Sequence, residues 1–345
     1  MTQKDIAIVI LNWNGRKMLE QFLPSVVEHS SATARIVVAD NASTDDSVDF
    51  LRANYPQIQL VINDKNYGFA EGYNKALAQV SADYYIILNS DVEVTPHWIE
   101  PVVELMESDD KIAICQPKLL SHINRDTFEY AGGAGGFIDR FGYPFCRGRV
   151  FSTLEKDEGQ YNDVREIFWA SGAAMFVKAP VFHDLGGFDG DFFAHMEEID
   201  FCWRAKNYGY KVMYCPESTI FHVGGGTLPP SSPFKTFLNF RNNFALLYKN
   251  LRRHCLAYVF PVRIVLDYVA AVRFLTEGKP KEFSAVVKAH FAFYRMLPKL
   301  TKKRRKMEHR RVGEIYRGSI VVANYLLKKS RFSMYKEGKF SRGND

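Results

Sequence analysis

Four times in its first ninety residues, this chain makes a short apolar run that stops abruptly at a turn of Asn, Asp, Ser and Gly. The runs are residues 6–11, 36–39, 59–62 and 84–88, each short, branched or aromatic, and bounded like a buried strand. Between the first two, Met18, Leu19, Phe22, Leu23, Val26 and Val27 recur at helical spacing, with Pro24 expected to kink or end the helix. Strand and helix alternate three times before Asp91, which predicts an α/β fold with a mostly parallel, doubly wound sheet. In such sheets ligands gather beyond the carboxyl ends of the strands, where these polar turns fall.

The turns narrow the chemistry. Asn89, Ser90 and Asp91 follow the fourth run, and a carboxylate beside an amide and a hydroxyl suits a divalent cation carrying phosphates. The plainer reading is a turn that caps the next helix. Asp40 ends the second run and is suited to accept from a base or ribose, or to act as a cap, with Ser43 or Thr44 opening a helix. Neither a Gly-x-Gly-x-x-Gly fingerprint nor a Walker lysine loop follows the first run, which argues against a dinucleotide or P-loop site.

Further on, residues 112–115 read as a strand and residues 132–136 as a flexible glycine connection. Arg140, Arg147 and Arg149 read as loop charges, solvated or turned to an anionic ligand. Residues 168–177 read as a strand with small residues at its centre, Gly172 among them, admitting a sugar or a closely packed neighbour. After Gly186 and Gly187 come Glu197, Glu198 and Asp200 at the start of a helix. First-turn acids usually serve the helix dipole, at about 0.3–1 kcal/mol each. Three of them beside Trp203 and Arg204 exceed that need, and one held near an acceptor hydroxyl would serve as general base. His222 precedes a glycine run and reads as either a metal ligand or a loop residue.

At 47% hydrophobic and 24% charged, the 345 residues have a globular composition. Five scattered cysteines without metal spacing suggest reduced thiols and a cytosolic setting. The opening residues are not expected to form a signal peptide, and every long apolar run is interrupted by charge. Charge is unevenly divided: residues 246–345 hold 24 Lys or Arg against 7 Asp or Glu, and the rest hold 21 against 32. Residues 258–275 are apolar but broken by Pro261, Arg263, Asp267 and Arg273. Lys281, Ser284, Lys288 and Arg295 then form a polar stripe opposite aromatics, and residues 299–306 are nearly all basic. This pattern predicts a body, residues 1–250, and a basic amphipathic helical extension, residues 251–345, suited to an anionic membrane surface. The alternative is a helical cap with a solvated basic end. Nucleic acid is not an expected partner, since no nucleic-acid-binding motif accompanies the charge.

In order, Asn12-Trp13-Asn14-Gly15, Asp40-Asn41-Ala42-Ser43-Thr44-Asp45, Asn66-Tyr67-Gly68-Phe69-Ala70, Asn89-Ser90-Asp91, Gly186-Gly187-Phe188-Asp189, Glu197-Glu198-Ile199-Asp200 and His222 resemble the family 2 glycosyltransferases of GT-A fold. The resemblance spans about residues 5–250 and points in particular to the bacterial rhamnosyltransferase-like branch. It implies a GT-A nucleotide-sugar-binding sandwich and inverting transfer from a UDP- or dTDP-sugar to a glycan or lipid-linked acceptor, at the cytoplasmic face of the plasma membrane. Asn12, Trp13, Asn14, Asp40, Asn66, Gly68, Asn89 and Ser90 would line the donor nucleotide. Asp91 matches the last acid of the Asp-x-Asp motif and, with His222, would hold Mg²⁺ or Mn²⁺. Glu198 matches the usual base, while Trp169, Gly172, Trp203 and Arg204 would form the acceptor and sugar pocket. Two positions depart from the pattern. Asn89 replaces the first Asp of the metal motif, and Glu198 stands where Asp is common, which leaves Glu197 or Asp200 as alternative bases. The rival expectations are a catalytically silent nucleotide-sugar-binding module at the membrane and, using paired carboxylates, a glycoside hydrolase.

Overall fold

In the computed structural model, residues 4–224 and 232–343 are described; Gly225, Gly226 and Thr227 of the glycine run after His222 lie outside them. The four runs form β1 (Ile6–Asn12), β2 (Arg35–Asp40), β3 (Gln59–Ile62) and β4 (Tyr84–Leu88), parallel in the order β3-β2-β1-β4. Consecutive residues Ile8, Val9, Ile86 and Ile87 are all fully buried, because helices cover both faces of central parallel strands. The register sets Asn12 opposite Asp40 and Asp40 opposite Ile62, so the polar turns share one edge.

The connecting helices are α1 (Arg16–Ser30), α2 (Ser47–Asn54) and α3 (Gly68–Leu77). Pro24 does not end α1. A proline forfeits one helix hydrogen bond, and the buried stripe of Leu19, Phe22, Leu23 and Val26 continues across it. Nor do Ser43 and Thr44 cap α2. Asp45 Oδ1 accepts the Ser47 N–H at 3.1 Å, and Ser43 is drawn back to Asp40.

The rest of the sheet comes from β5 (Val92–Val94), β6 (Ile112–Ser121), β11 (Arg165–Glu166), β12 (Ala174–Lys178) and β13 (Lys211–His222). A smaller sheet uses β7 (Gly136–Asp139), β8 (Pro144–Cys146), β9 (Arg149–Val150), β10 (Thr153–Leu154) and β14 (Ile315–Tyr316). The main order is β11-β13-β6-β12-β4-β1-β2-β3, with β5 pairing β13. β12 is antiparallel to both β4 and β6, and β13 is parallel to β6, so β13 ends on the same edge as β4. Only residues 174–177 of the expected 168–177 strand are β-strand, and the strand runs on to Lys178. The glycine connection is tightly packed: a Cβ on Gly136 would stand 2.1 Å from the Trp169 ring.

Helices α4 (Glu100–Glu107), α5 (Ala179–Asp184) and α6 (Glu197–Asn207) flank the sheet, and α7 (Pro233–Asn250), α8 (Arg253–Thr276), α9 (Pro280–Arg304) and α10 (Ile320–Tyr325) follow. Phe244 of α7 packs on Phe260 of α8 and Phe293 of α9. β14 extends the small sheet beside β7, and Phe332 and Phe340 stack on Phe137 and Phe145. The segment after residue 250 is therefore built into the body through an aromatic core.

Candidate active site at the strand ends

At the carboxyl ends of β1 and β2, Asn12 and Asp40 are buried and joined, Asn12 Nδ2 donating to Asp40 Oδ1 at 3.0 Å. Ser43 N–H and Oγ–H both donate to Asp40, at 2.8 and 2.6 Å. Asn14, in a left-handed conformation at φ 49°, accepts the Thr44 N–H at 2.7 Å and so ties the first turn to the second. Asn41 Nδ2 donates to Asn66 Oδ1 and to the Gly68 carbonyl, both at 3.0 Å. Trp13 is half exposed beside this polar floor, and Ser90 Oγ lies by Gly15 next to Asn12. Asn12 Oδ1 is buried against Gly15 with no partner among the described residues.

Asp91 follows β4, and β5 pairs antiparallel with β13 so that Val92 faces His222. The Val223 N–H donates to the Asp91 carbonyl at 3.1 Å, closing the two strand ends on each other. His222 Nε2 then stands 3.1 Å from Asp91 Oδ1 and 3.3 Å from Asn89 Nδ2. On the ring's other side, Nδ1 is 3.3 Å from Glu129 Oε1, off the direction of a straight hydrogen bond. Burial favours a neutral imidazole, yet Glu129 and Asp91 outweigh it and raise the His222 pKa to about 10. Burial likewise raises Asp91, and His222 more than reverses this, holding the carboxyl below its usual range.

This donor set fits a hard divalent cation. Two donors bound side by side on an octahedral ion at about 2.1 Å are about 3.0 Å apart, near the Asp91–His222 separation. A carboxylate behind a ligating histidine, as Glu129 stands behind His222, is the usual means of fixing its ring. No set of three or more acid, histidine or cysteine side chains converges for a metal among the described residues. Two protein donors suffice for Mg²⁺ or Mn²⁺ when phosphate oxygens and water complete the shell.

The acids of α6 are presented by a constrained loop. Phe193, His195 and Met196 have φ of 64°, 70° and 75°, a region that costs of order 1–3 kcal/mol for each non-glycine residue. From α7, Asn242 Nδ2 lies within 2.9 Å of the carbonyls of Phe192, Ala194 and His195, and Arg241 Nη2 donates to Asp191 and Phe192. From α3, the Phe69 N–H donates to the Phe193 carbonyl at 2.8 Å, tying the loop to the Asn66–Gly68 turn. Lys249 and Lys303 bind Asp189, and Lys299 binds Asp191.

The three acids of α6 then differ. Asp200 is fully buried and held by Arg204, Lys249 and Asn250. Glu197 is buried, and burial together with Glu198 keeps its carboxyl well above the usual range. Glu198 is partly exposed, with its pKa raised to about 7 by burial against the opposing N–H groups of Glu198, Ile199 and Met196. Burial raises the Cys146 thiol, Arg149 works against that rise, and Glu129 and Glu198 add smaller increments to it.

Several expected side chains lie in the core instead. Trp169 is buried, its indole N–H donating to the Phe137 carbonyl, and Trp203 is buried edge-on against Phe168. Arg204 is spent on Asp200 and on the Leu185 and Gly187 carbonyls. Of the four residues expected at the acceptor and sugar pocket, only Gly172 is partly open, against Phe69. Arg147 and Arg149 are buried, the first on Asp163 and over Tyr161, the second over Tyr130. Glu129, Arg241 and Asn242 carry no motif that marks them for the site: the first lies outside every motif, and the others read as ordinary helix residues.

Residues 7–168 match glycosyl transferase family 2. The chain is 24% identical over 233 residues to the N-acetylglucosaminyl-diphospho-decaprenol L-rhamnosyltransferase of Mycobacterium tuberculosis, covering 63% of this chain and 75% of that one. It is 25% identical over 260 residues to the dTDP-rhamnosyl transferase RfbF of Shigella flexneri, covering 71% and 81%. Among solved structures it shares its fold with GalNAc-T7 bound to UDP, GalNAc and Mn²⁺, at TM-score 0.58 and 16% identity, over 90% of this chain and 59% of that one. S. aureus TarS 1–349 in complex with UDP-GlcNAc gives TM-score 0.56 at 12% identity, over 87% and 83%. The ordered strand-end motifs, the matched family and the shared fold agree: residues 7–168 carry a family 2 glycosyltransferase match within a GT-A fold, and the chain is similar to bacterial rhamnosyltransferases.

Proposed function

We propose that the chain transfers a deoxyhexose of rhamnose type from a dTDP- or UDP-sugar, with inversion, to a hydroxyl of a lipid-linked glycan at the cytoplasmic face of the membrane. The observation that carries this reading is the Asp91–His222 pair at the common strand edge, in one body with a partly exposed Glu198 whose pKa is about 7. The names of the mycobacterial and Shigella relatives support the rhamnose-type donor and the lipid diphosphate acceptor.

Asn12, Asp40, Asn41 and Asn66 form the polar floor on which the nucleoside would rest, and Asp91 and His222 would hold Mg²⁺ or Mn²⁺ against the diphosphate. That cation, when bound, supplies Lewis-acid neutralisation of the charge arriving on the leaving group. Glu198 takes the proton of the acceptor hydroxyl as its oxygen bonds to the anomeric carbon. The bond from that carbon to the diphosphate oxygen breaks on the opposite face, and the nucleoside diphosphate leaves with the electron pair. A base titrating near 7 is well matched to this step. Burial and the neighbouring Glu198 disfavour the ionised form of Glu197, and Asp200 is occupied with cations.

The test is a turnover assay with dTDP-rhamnose, UDP-sugars and a lipid-diphosphate glycan acceptor. Asp91→Ala is expected to abolish nucleoside diphosphate release, and Glu198→Gln to retain donor binding while losing transfer. Full turnover in both variants would refute the assignment.

A further inference from the structure

Helix α8 is built the wrong way round for water. Its two mid-helix charges, Arg263 and Asp267, lie on the inward stripe with Val259 and Ala271. They form an i,i+4 pair at 3.2 Å, and the Arg263 guanidinium also donates to the Phe141 carbonyl at 2.7 Å and lies over Tyr143. His290 of α9 stands 3.4 Å from Asp267 on its other side. The outward stripe, by contrast, is Val262, Val265, Val269, Val272 and Leu275, with Val265 and Val269 each 62% exposed. Between Arg253 and Arg273, every exposed side chain is apolar or aromatic except His254. A solvated surface helix places these two classes on opposite faces.

The helix is long and apolar enough to cross a bilayer, but its inner face is fastened to the protein. Arg263 and Asp267 grip the β7–β8 turn, while Phe260 packs into Phe244 and Phe293. One side alone is free, over about 36 Å of helix. The free strip continues onto a second element: Arg273 lies over Tyr325 of α10, and Leu326 and Leu327 follow, 73% and 62% exposed. Its ends are cationic, with Arg253 at one and Arg273, Lys279, Lys281, Lys328 and Lys329 at the other. Glu277, the exposed acid at that end, is paired to Arg273 and Lys279.

We propose that the outer face of α8, extended by Leu326 and Leu327, is a membrane-docking surface that lies flat in the headgroup region of an anionic bilayer. The apolar strip takes the place of water at the acyl boundary, and the flanking Lys and Arg meet lipid phosphates. This names the face by which a lipid-carried acceptor would be approached. It rests on the proposed function for its purpose alone, since binding to plain vesicles needs neither donor nor acceptor.

The experiment is vesicle flotation of the full chain with phosphatidylcholine alone and with about a third phosphatidylglycerol. The wild type is expected to float with the anionic vesicles. Val265→Asp with Val269→Asp should lower the bound fraction by about tenfold or more. Turnover of a short water-soluble acceptor and the thermal midpoint should stay unchanged. Leu326→Glu with Leu327→Glu, on a separate element, should weaken flotation in the same direction. A wild type that stays in solution, or Asp variants that float equally well, would overturn the proposal. So would a wild-type dimer in light scattering that the Asp variants dissociate, because the strip would then belong to a second copy of the chain.

Discussion

Glu198 and Glu129 are carboxylates with different burdens. If Glu198 acts only when ionised, transfer should rise with pH and level off above about 7, since burial places its pKa there. An acid limb near the ordinary glutamate value would count against it. Glu129 stands behind the His222 ring, its Oε1 3.3 Å from Nδ1, where it would steady that ring. Removing such a partner typically weakens metal affinity by about 10–100-fold. Glu129→Gln should therefore reduce Mn²⁺ affinity by that factor, measured by calorimetry, while donor binding without metal is kept. The sequence marks Asp91 and His222 as candidates, the first by its strand-end turn and the second by the family resemblance. Glu129 is not so marked, because it reaches the site only through the fold, at an isolated position between Phe128 and Tyr130.

Among the elements, the loop before α6 and the helix that holds it matter most. Three non-glycine residues at positive φ are retained because Asn242, fully buried in α7, meets three of the loop's carbonyls. Asn242→Ala would strand the Ala194 and His195 carbonyls, while Phe192 keeps Arg241, at about 1–3 kcal/mol for buried groups left unpaired. The expected result is a lower thermal midpoint and a reduced kcat with little change in donor affinity. Unchanged kcat would show that the loop holds its shape without α7. The apolar spacing of Phe237, Phe240, Phe244 and Leu247 makes the helix itself readable. A polar residue inside it reads as solvent-facing until the fold supplies the loop it binds. The same limit explains Trp169, Trp203 and Arg204: the sequence sets Trp203 and Arg204 beside the candidate acids of α6, but packing turns all three side chains into the core.

In the whole molecule, alternating strands and helices announce the sheet and its working edge in advance, because parallel strands with polar exits admit few topologies. The extension after residue 250 is readable as helical and basic, but not as part of the core. Its charge concentrates there, whereas packing does not break: Lys303 pairs with Asp189, and Phe332 and Phe340 fill the small sheet's apolar face. A chain ending at residue 250 should therefore lose its cooperative unfolding transition in calorimetry. Retention of the full-length midpoint would show that the extension is dispensable to the fold. The proposed chemistry turns on a cation bound jointly by the ends of β4 and β13. Its sharpest test is an electron paramagnetic resonance titration of Mn²⁺ into the full chain with saturating dTDP, comparing wild type with Asp91→Asn and His222→Ala. The expected result is one tightly bound ion in the wild type and loss of that ion in both variants. Equal binding in all three proteins would leave the cation without its ligands and the proposal without its centre.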